Sequence, residues 1–373
     1  MPTLTKPQTK ILGIDVRPEM QLILCCARNE IDEADAQLIK TLIQQENIDW
    51  QAVISYAYKN GLMPLLYTNL NAIAPETVPK DALNLLRQLF YANTQRSLLL
   101  AGELVKILGL LQEQEIIAVP YKGPVLATSL YGNVGLREFC DLDIIVQQQD
   151  VLKVKKVLLA QGYRPKVEMT EPEEIAYLKS KGGHTYDFID LDKGILIEVH
   201  WRITPEYTSP IEPKHFWKNL KPFSFAGLTV PYLPLEDWLL ILCVHGSRHR
   251  WQKLSWPFDI AQLIRITKEI NWQKLIQQAN EFDCKRMLFI GLFLAHHFAG
   301  ITLPADVLKQ IAADSEVNSL GSAICQELLS KDYPQKKVMA RTVYQIRVRE
   351  RLENKFLYFQ CFLRWLLFTK DKN

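Results

Sequence analysis

The spacing of hydrophobic positions changes twice along this chain and divides it into three stretches. Up to about residue 115 the apolar residues recur every three to four positions, which predicts helices over 31–45, 50–60, 63–71 and 80–115. In the last of these, Leu85, Leu86, Leu89 and Phe90, then Leu104, Ile107, Leu108 and Leu111, keep to one stripe. Residues 1–18, with Pro2, Pro7 and Pro18, read as an arm with little structure of its own. Between 116 and 233 the runs shorten. Ile116–Pro120 reads as a strand, Lys122-Gly123 as a turn, and Pro124 as the opening of a helix to Tyr131. Asp141-Leu-Asp-Ile-Ile-Val146 reads as a buried strand, and Val151–Gln161 as a helix stopped by Gly162. The runs 184–190 and 195–201 predict a hairpin turned by Asp192-Lys-Gly194. Glu168–Glu174 reads as an acidic loop or helix start on the solvated surface, and the proline-rich 205–233 as a connection with short strands at most.

From Leu235 the helical period returns over 235–248, 258–268, 272–282, 285–299, 305–313 and 318–329, a C-terminal bundle. The tail from Lys336 is basic, then apolar from Phe356 to Phe368, about 20 Å as a helix and short for a bilayer. It is read as a closing helix buried on the bundle, with membrane-surface attachment or dimerisation as alternatives. The whole predicts an α+β fold: a small mixed β-sheet core over 116–233, flanked by a helical N-terminal region (1–115) and a C-terminal helical domain (234–373). No Gly-x-Gly-x-x-Gly follows the first strand, so the core is not read as a dinucleotide-binding fold.

The chemistry gathers on two strands. Side chains alternate faces along a strand, so Asp141 and Asp143 point the same way. In the second strand Leu196, Glu198, His200 and Arg202 share one face, and Glu198 is a lone acid among apolar neighbours. Three carboxylates meeting on one sheet face repel one another unless a cation lies between them. A divalent ion, Mg²⁺ or else Mn²⁺, is the expected remedy, with Asp141, Asp143 and Glu198 as ligands.

These residues resemble the nucleotidyltransferase superfamily typified by DNA polymerase β, in which a glycine turn precedes an Asp-x-Asp strand and a third acid lies on a later strand. More narrowly, the chain is similar to a poorly characterised bacterial nucleotidyltransferase family through Lys122-Gly123, Tyr131, Arg137, Asp141-Leu-Asp143 and Glu198-Val-His-Trp201, and through His245-Gly-Ser-Arg-His-Arg-Trp251 and Trp256-Pro-Phe-Asp259. The resemblance implies transfer of an NMP group from an NTP to a small-molecule, glycan or peptide acceptor, with Asp141, Asp143 and Glu198 catalytic. Lys122, Gly123, Arg137, His200, His245, Arg248 and His249 become the candidate substrate-binding residues. A non-catalytic nucleotide-binding or scaffold protein that keeps the fold is the alternative. One departure favours it: the family's turn usually offers a second glycine or a serine, and here Pro124 follows Gly123 and supplies no N–H. His245 and His249, four apart on one helix face, would also suit zinc, but no third ligand is suitably spaced.

Bulk composition narrows the setting. The 373 residues are 48% hydrophobic and 23% charged, ordinary for a globular chain, and a net charge of +3 disfavours a nucleic-acid partner. Seven cysteines without a Cys-x-x-Cys pair fit a reducing compartment. Cys140 is read as a small apolar filler beside the aspartates. The short run Gln21–Ala27 makes neither a signal nor a span, so a cytoplasmic location is expected.

Overall fold

The computed structural model describes residues 9–45, 47–209, 211, 213–330 and 338–370. They divide into two compact units, one spanning Asn93–Trp238 and the other made of the described residues of Met1–Ala92 and Leu239–Asn373.

In the latter unit the predicted arm carries a strand pair. β1 (Lys10–Ile11) and β2 (Ile14–Asp15) lie antiparallel, and the two residues between them, Leu12 and Gly13, both have positive φ. That backbone makes the tight loop whose twist matches paired strands, and the strands are too short to show an alternating pattern in sequence. Pro2 and Pro7 lie outside the described residues. The predicted helices form at Glu33–Gln45, Trp50–Lys59 and Met63–Ile73, and again at Leu235–Arg248, Ser255–Ile266, Trp272–Glu281, Lys285–Ala299, Ala305–Ala313 and Ser315–Leu329. Buried Asn60 ties the two sequence-distant halves of this unit: its Oδ1 accepts from the Leu254 N–H at 3.1 Å and its carbonyl accepts from the Ser255 N–H at 3.1 Å. Fully buried Trp251 fills a hollow left by two glycines. A Cβ on Gly246 would lie 2.5 Å from its ring, and one on Gly291 would lie 3.1 Å from it.

The last helix, Leu352–Lys370, departs from the expectation of burial. Asn354 bonds Asp283 and the Tyr358 ring lies 4.3 Å from the Arg349 guanidinium, yet Leu352 is 80% and Phe356 60% exposed, with Phe359 and Leu363 also exposed. The basic run at Lys336 and the side chains from Arg364 on lie outside the described residues. No helix among the described residues is long and apolar enough to cross a membrane.

The Asn93–Trp238 unit holds the α+β core that the sequence predicts. β3 (Ala118–Pro120), β4 (Asp141–Val146), β5 (Arg164–Pro165), β6 (Thr185–Asp190) and β7 (Ile195–His200) form one sheet in the order β3-β4-β7-β6-β5. β4 pairs antiparallel with β3 and parallel with β7, so the sheet is mixed. Flanked on both sides, β4 is buried from Leu142 to Val146, which is why its apolar residues run almost without interruption. The β6–β7 hairpin turns where predicted. The Asp190 carboxylate accepts from the Asp192 and Lys193 N–H groups at 3.1 and 3.0 Å, and Gly194 takes φ +60°. A second hairpin, β8 (Lys221–Phe225) with β9 (Leu228–Tyr232), supplies the short strands of the proline-rich connection.

Two expectations need correction here. The helix Glu171–Lys179 starts at a capping box of Thr170 and Glu173, but Glu174 is not solvated surface. It is 5% exposed, paired with Lys155 and bonded by the Tyr186 hydroxyl at 2.6 Å, because the helix turns that position inward onto β6. Cys140 is exposed rather than an apolar filler, since it precedes the strand that would have buried it.

Candidate active site

The site grows from the pairing of β4 with β7. Their parallel register sets Asp143 directly opposite Glu198 and Ile145 opposite His200. Period-two alternation then brings Asp141, Asp143, Glu198 and His200 toward one face of the sheet. Just past β3, the Tyr121 N–H donates to the Asp143 carbonyl at 3.0 Å, which extends the ladder by one bond and aligns the following turn with the acids. In that turn Lys122 has φ +59°, ψ −151° and Gly123 has φ +49°. Gly123 is suited to this backbone, and a Cβ there would lie 3.4 Å from the Asp141 carbonyl oxygen. Pro124 then opens the helix Gly123–Tyr131, as its sequence position implies.

A buried polar network results. Asp143 Oδ1 accepts from Lys122 Nζ at 2.8 Å and faces His200 Nε2 at 3.1 Å. The same His200 nitrogen lies 3.2 Å from Glu198 Oε2, and the Tyr121 hydroxyl lies 3.1 Å from the ring. Asp143 and His200 are 3% and 2% exposed, whereas the Glu198 side chain is a quarter exposed. One donor atom each from Asp143, Glu198 and His200 lies within 4.8 Å of the others, the cluster among the described residues able to share a metal ion.

The electrostatics of the two aspartates diverge. Burial pushes the Asp143 carboxyl up, but the Lys122 ammonium and His200 together overcome it and hold the group at about 2. For Asp141, burial and then the neighbouring Asp143 charge dominate, and its carboxyl rises to about 6 although Lys122 and Arg137 pull it down. The hydrogen bond with His200 holds Glu198 below the ordinary carboxylate range. Burial opposes a charged His200, but its bonds to Asp143 and Glu198 raise the imidazole above its usual value.

The structure thus brings Lys122, Asp141, Asp143, Glu198 and His200 together, with Arg137 close enough to act on Asp141. The sequence reading placed Asp141 among the metal ligands. The compact cluster holds His200 in that position, with Asp141 two residues earlier on the strand. Tyr121 was missed. Its only signal was its place before the Lys-Gly turn, and it serves the site through its amide, hydroxyl and ring. His245, Arg248 and His249 belong to the helix Leu235–Arg248 and its end, in the other unit. There the two imidazoles lie 4.7 Å apart between ring centroids and both pack on Trp256, and among the described residues no third side chain completes a metal cluster with them. A cleft of about 1020 Å³ opens beyond the C-terminal ends of β4 and β7, where Gln147, Trp201 and Arg202 line it and the carboxylates do not.

The chain matches no curated protein and no solved structure. A family profile does match, over residues 46–300, more than half of the chain and including every residue of the network. With paired acids and an imidazole converging inside that span, the chain belongs to the family described as "Uncharacterised nucleotidyltransferase".

Proposed function

We propose that this protein is a metal-dependent nucleotidyltransferase of the DNA polymerase β type. It moves an NMP group from an NTP to a hydroxyl of a small-molecule, glycan or peptide acceptor and releases pyrophosphate. The observation that carries the reading is the convergence of Asp143, Glu198 and His200 within 4.8 Å on paired strands of a nucleotidyltransferase-family chain. Two carboxylates and an imidazole, mostly buried, form a donor set that fits a divalent cation. Mg²⁺ is the proposed ion, with Mn²⁺ as the alternative; once bound, singly or as a pair, it supplies charge stabilisation at the transferring phosphoryl oxygens.

The chain's own residues divide the remaining tasks. Asp143, Glu198 and His200, with Asp141, hold the cation, and Tyr121 fixes the His200 ring through its hydroxyl. Glu198, the more exposed of the two acids in the cluster, is placed to accept the proton of the acceptor hydroxyl. Lys122 and Arg137 offset negative charge on the triphosphate. The near-neutral net charge supports a small acceptor over a nucleic acid, and the cysteine pattern supports work in the cytoplasm. The test is pyrophosphate release with each NTP across a panel of hydroxyl-bearing acceptors, with products weighed by mass spectrometry. Release by the wild type that Asp143→Asn abolishes supports the reading, and equal release by both proteins refutes it.

A further inference from the structure

Lys122 stands where a cation is wanted. Its Nζ lies 2.8 Å from Asp143 Oδ1, the same oxygen that faces His200 Nε2, and its side chain is 13% exposed. Its backbone, at φ +59° and ψ −151°, occupies a region that glycine alone enters without strain. Glycine at this position would relax the turn, whereas lysine keeps the strain and delivers an ammonium to Asp143. Tyr121 reinforces that delivery: its N–H is bonded to the Asp143 carbonyl, and its ring centroid lies 4.8 Å from Nζ. The ammonium is therefore held on the same Asp143 oxygen that faces His200, inside the cluster that could share an ion.

We propose that Lys122 is the resident counter-ion of the metal site. It neutralises Asp143 in the ion-free protein, yields that oxygen to a divalent cation, and passes its ammonium to the triphosphate that arrives with the cation. This rests on the nucleotidyl-transfer reading. The charge count motivates the exchange. Asp141, Asp143 and Glu198 gather around one ammonium and one imidazole, so a divalent ion on the cluster makes Lys122 superfluous at Asp143. The triphosphate brings the anionic oxygens to which the released ammonium can turn, and Lys122 directly precedes the helix Gly123–Tyr131. Removing the ammonium must then act with opposite sign on the two ligands: it favours the cation alone and disfavours the nucleotide that comes with it.

The experiment uses the full-length protein stripped with EDTA. Mn²⁺ binding is followed by the electron paramagnetic resonance of the free ion, with and without a non-hydrolysable NTP. Lysine acetylation is mapped by mass spectrometry in the same three states, and Lys122→Met and Lys122→Gly are compared after their melting curves confirm folding. Lys122→Met is expected to bind Mn²⁺ alone about tenfold tighter than wild type and the Mn²⁺–nucleotide about tenfold weaker. Wild-type Lys122 is expected to resist acetylation without ion, to react once Mn²⁺ is added alone, and to be protected again by nucleotide. Equal Mn²⁺ affinity in wild type and variants, or a Lys122 whose labelling ignores bound Mn²⁺, overturns the inference and leaves the transferase reading standing. Absence of Mn²⁺ binding in all three proteins overturns both. The labelling arm needs no variant, so it decides the matter even if both substitutions unfold the chain.

Discussion

Asp141→Asn is expected to stabilise the ion-free protein while impairing transfer. The Asp141 carboxyl is pushed from its ordinary 3.8 to about 6, first by burial and then by the Asp143 charge. A folded-state value above the unfolded one means that the fold holds this proton more tightly. The resulting stabilisation is complete below pH 3.8 and is lost as pH rises through about 6. Above that the ionised carboxylate weighs against the fold, by about 3 kcal/mol for the span from 3.8 to about 6. Asparagine has nearly the same shape and no charge, so the variant escapes this cost. Urea unfolding in EDTA at pH 4, 6 and 8 reads the difference directly. The two proteins should match near pH 4, and the variant should lead by roughly 2–3 kcal/mol at pH 8. Added Mg²⁺ should narrow the gap by relieving the wild type more than the variant. A variant no more stable than wild type at pH 8 refutes the reasoning, because the carboxylates would then not be crowded against one another.

The neighbouring aspartate should behave in the opposite way. Asp143, held at about 2, contributes about 2 kcal/mol that is present above pH 3.8 and lost as pH falls through about 2. Asp143→Asn should therefore lose both pyrophosphate release and roughly that much stability at pH 7, and a fully active or equally stable variant contradicts the assignment. Glu174→Ala leaves Lys155 and Tyr186 facing an empty site and should cost about 3 kcal/mol in a denaturant titration, and a change near zero would place the pair at the surface. Gly246→Ala puts a methyl 2.5 Å from the Trp251 ring and should cost about 2 kcal/mol, visible as a lower melting temperature, and an unchanged melting temperature contradicts that packing.

Much of this architecture was legible because its signals are local. The apolar run of β4, the Asp192-Lys-Gly194 turn and Gly162 each act over a few residues, and the elements they predict appear at the expected places. Even the clustered acids could be found, since Asp143 and Glu198 each interrupt an apolar strand with a charge that burial does not tolerate alone. What escaped depends on register and packing. Glu174 looks like any acid in an acidic run, and only the angle of its helix on β6 buries it. The loop Leu12-Gly13 closes a hairpin of two-residue strands, too short for any period to show. The tail is apolar in composition, yet Leu352 and Phe356 stay exposed, because hydrophobicity alone does not say which face finds a partner.

The role of His200 illustrates how register converts two separate motifs into one site. Asp-Leu-Asp and Glu-Val-His are each alternating triplets, and a one-residue slip between β4 and β7 would turn Glu198 and His200 to the opposite face. The observed pairing instead sets Asp143 against Glu198 and lets the imidazole reach both carboxylates. That contact splits the acids electrostatically. Asp143, flanked by Lys122 and His200, is a fixed anion at about 2, while Asp141, given its neighbour's charge and less of the compensation, is lifted to about 6. Environments that drive paired carboxylates apart mark division of labour rather than structural ballast. In the proposed function the fixed anion would anchor a cation and the lifted one would gain most from its arrival, so the stability that Asp141 is expected to cost at pH 8 and the pull on an ion share one origin, the burial and crowding of the carboxylates.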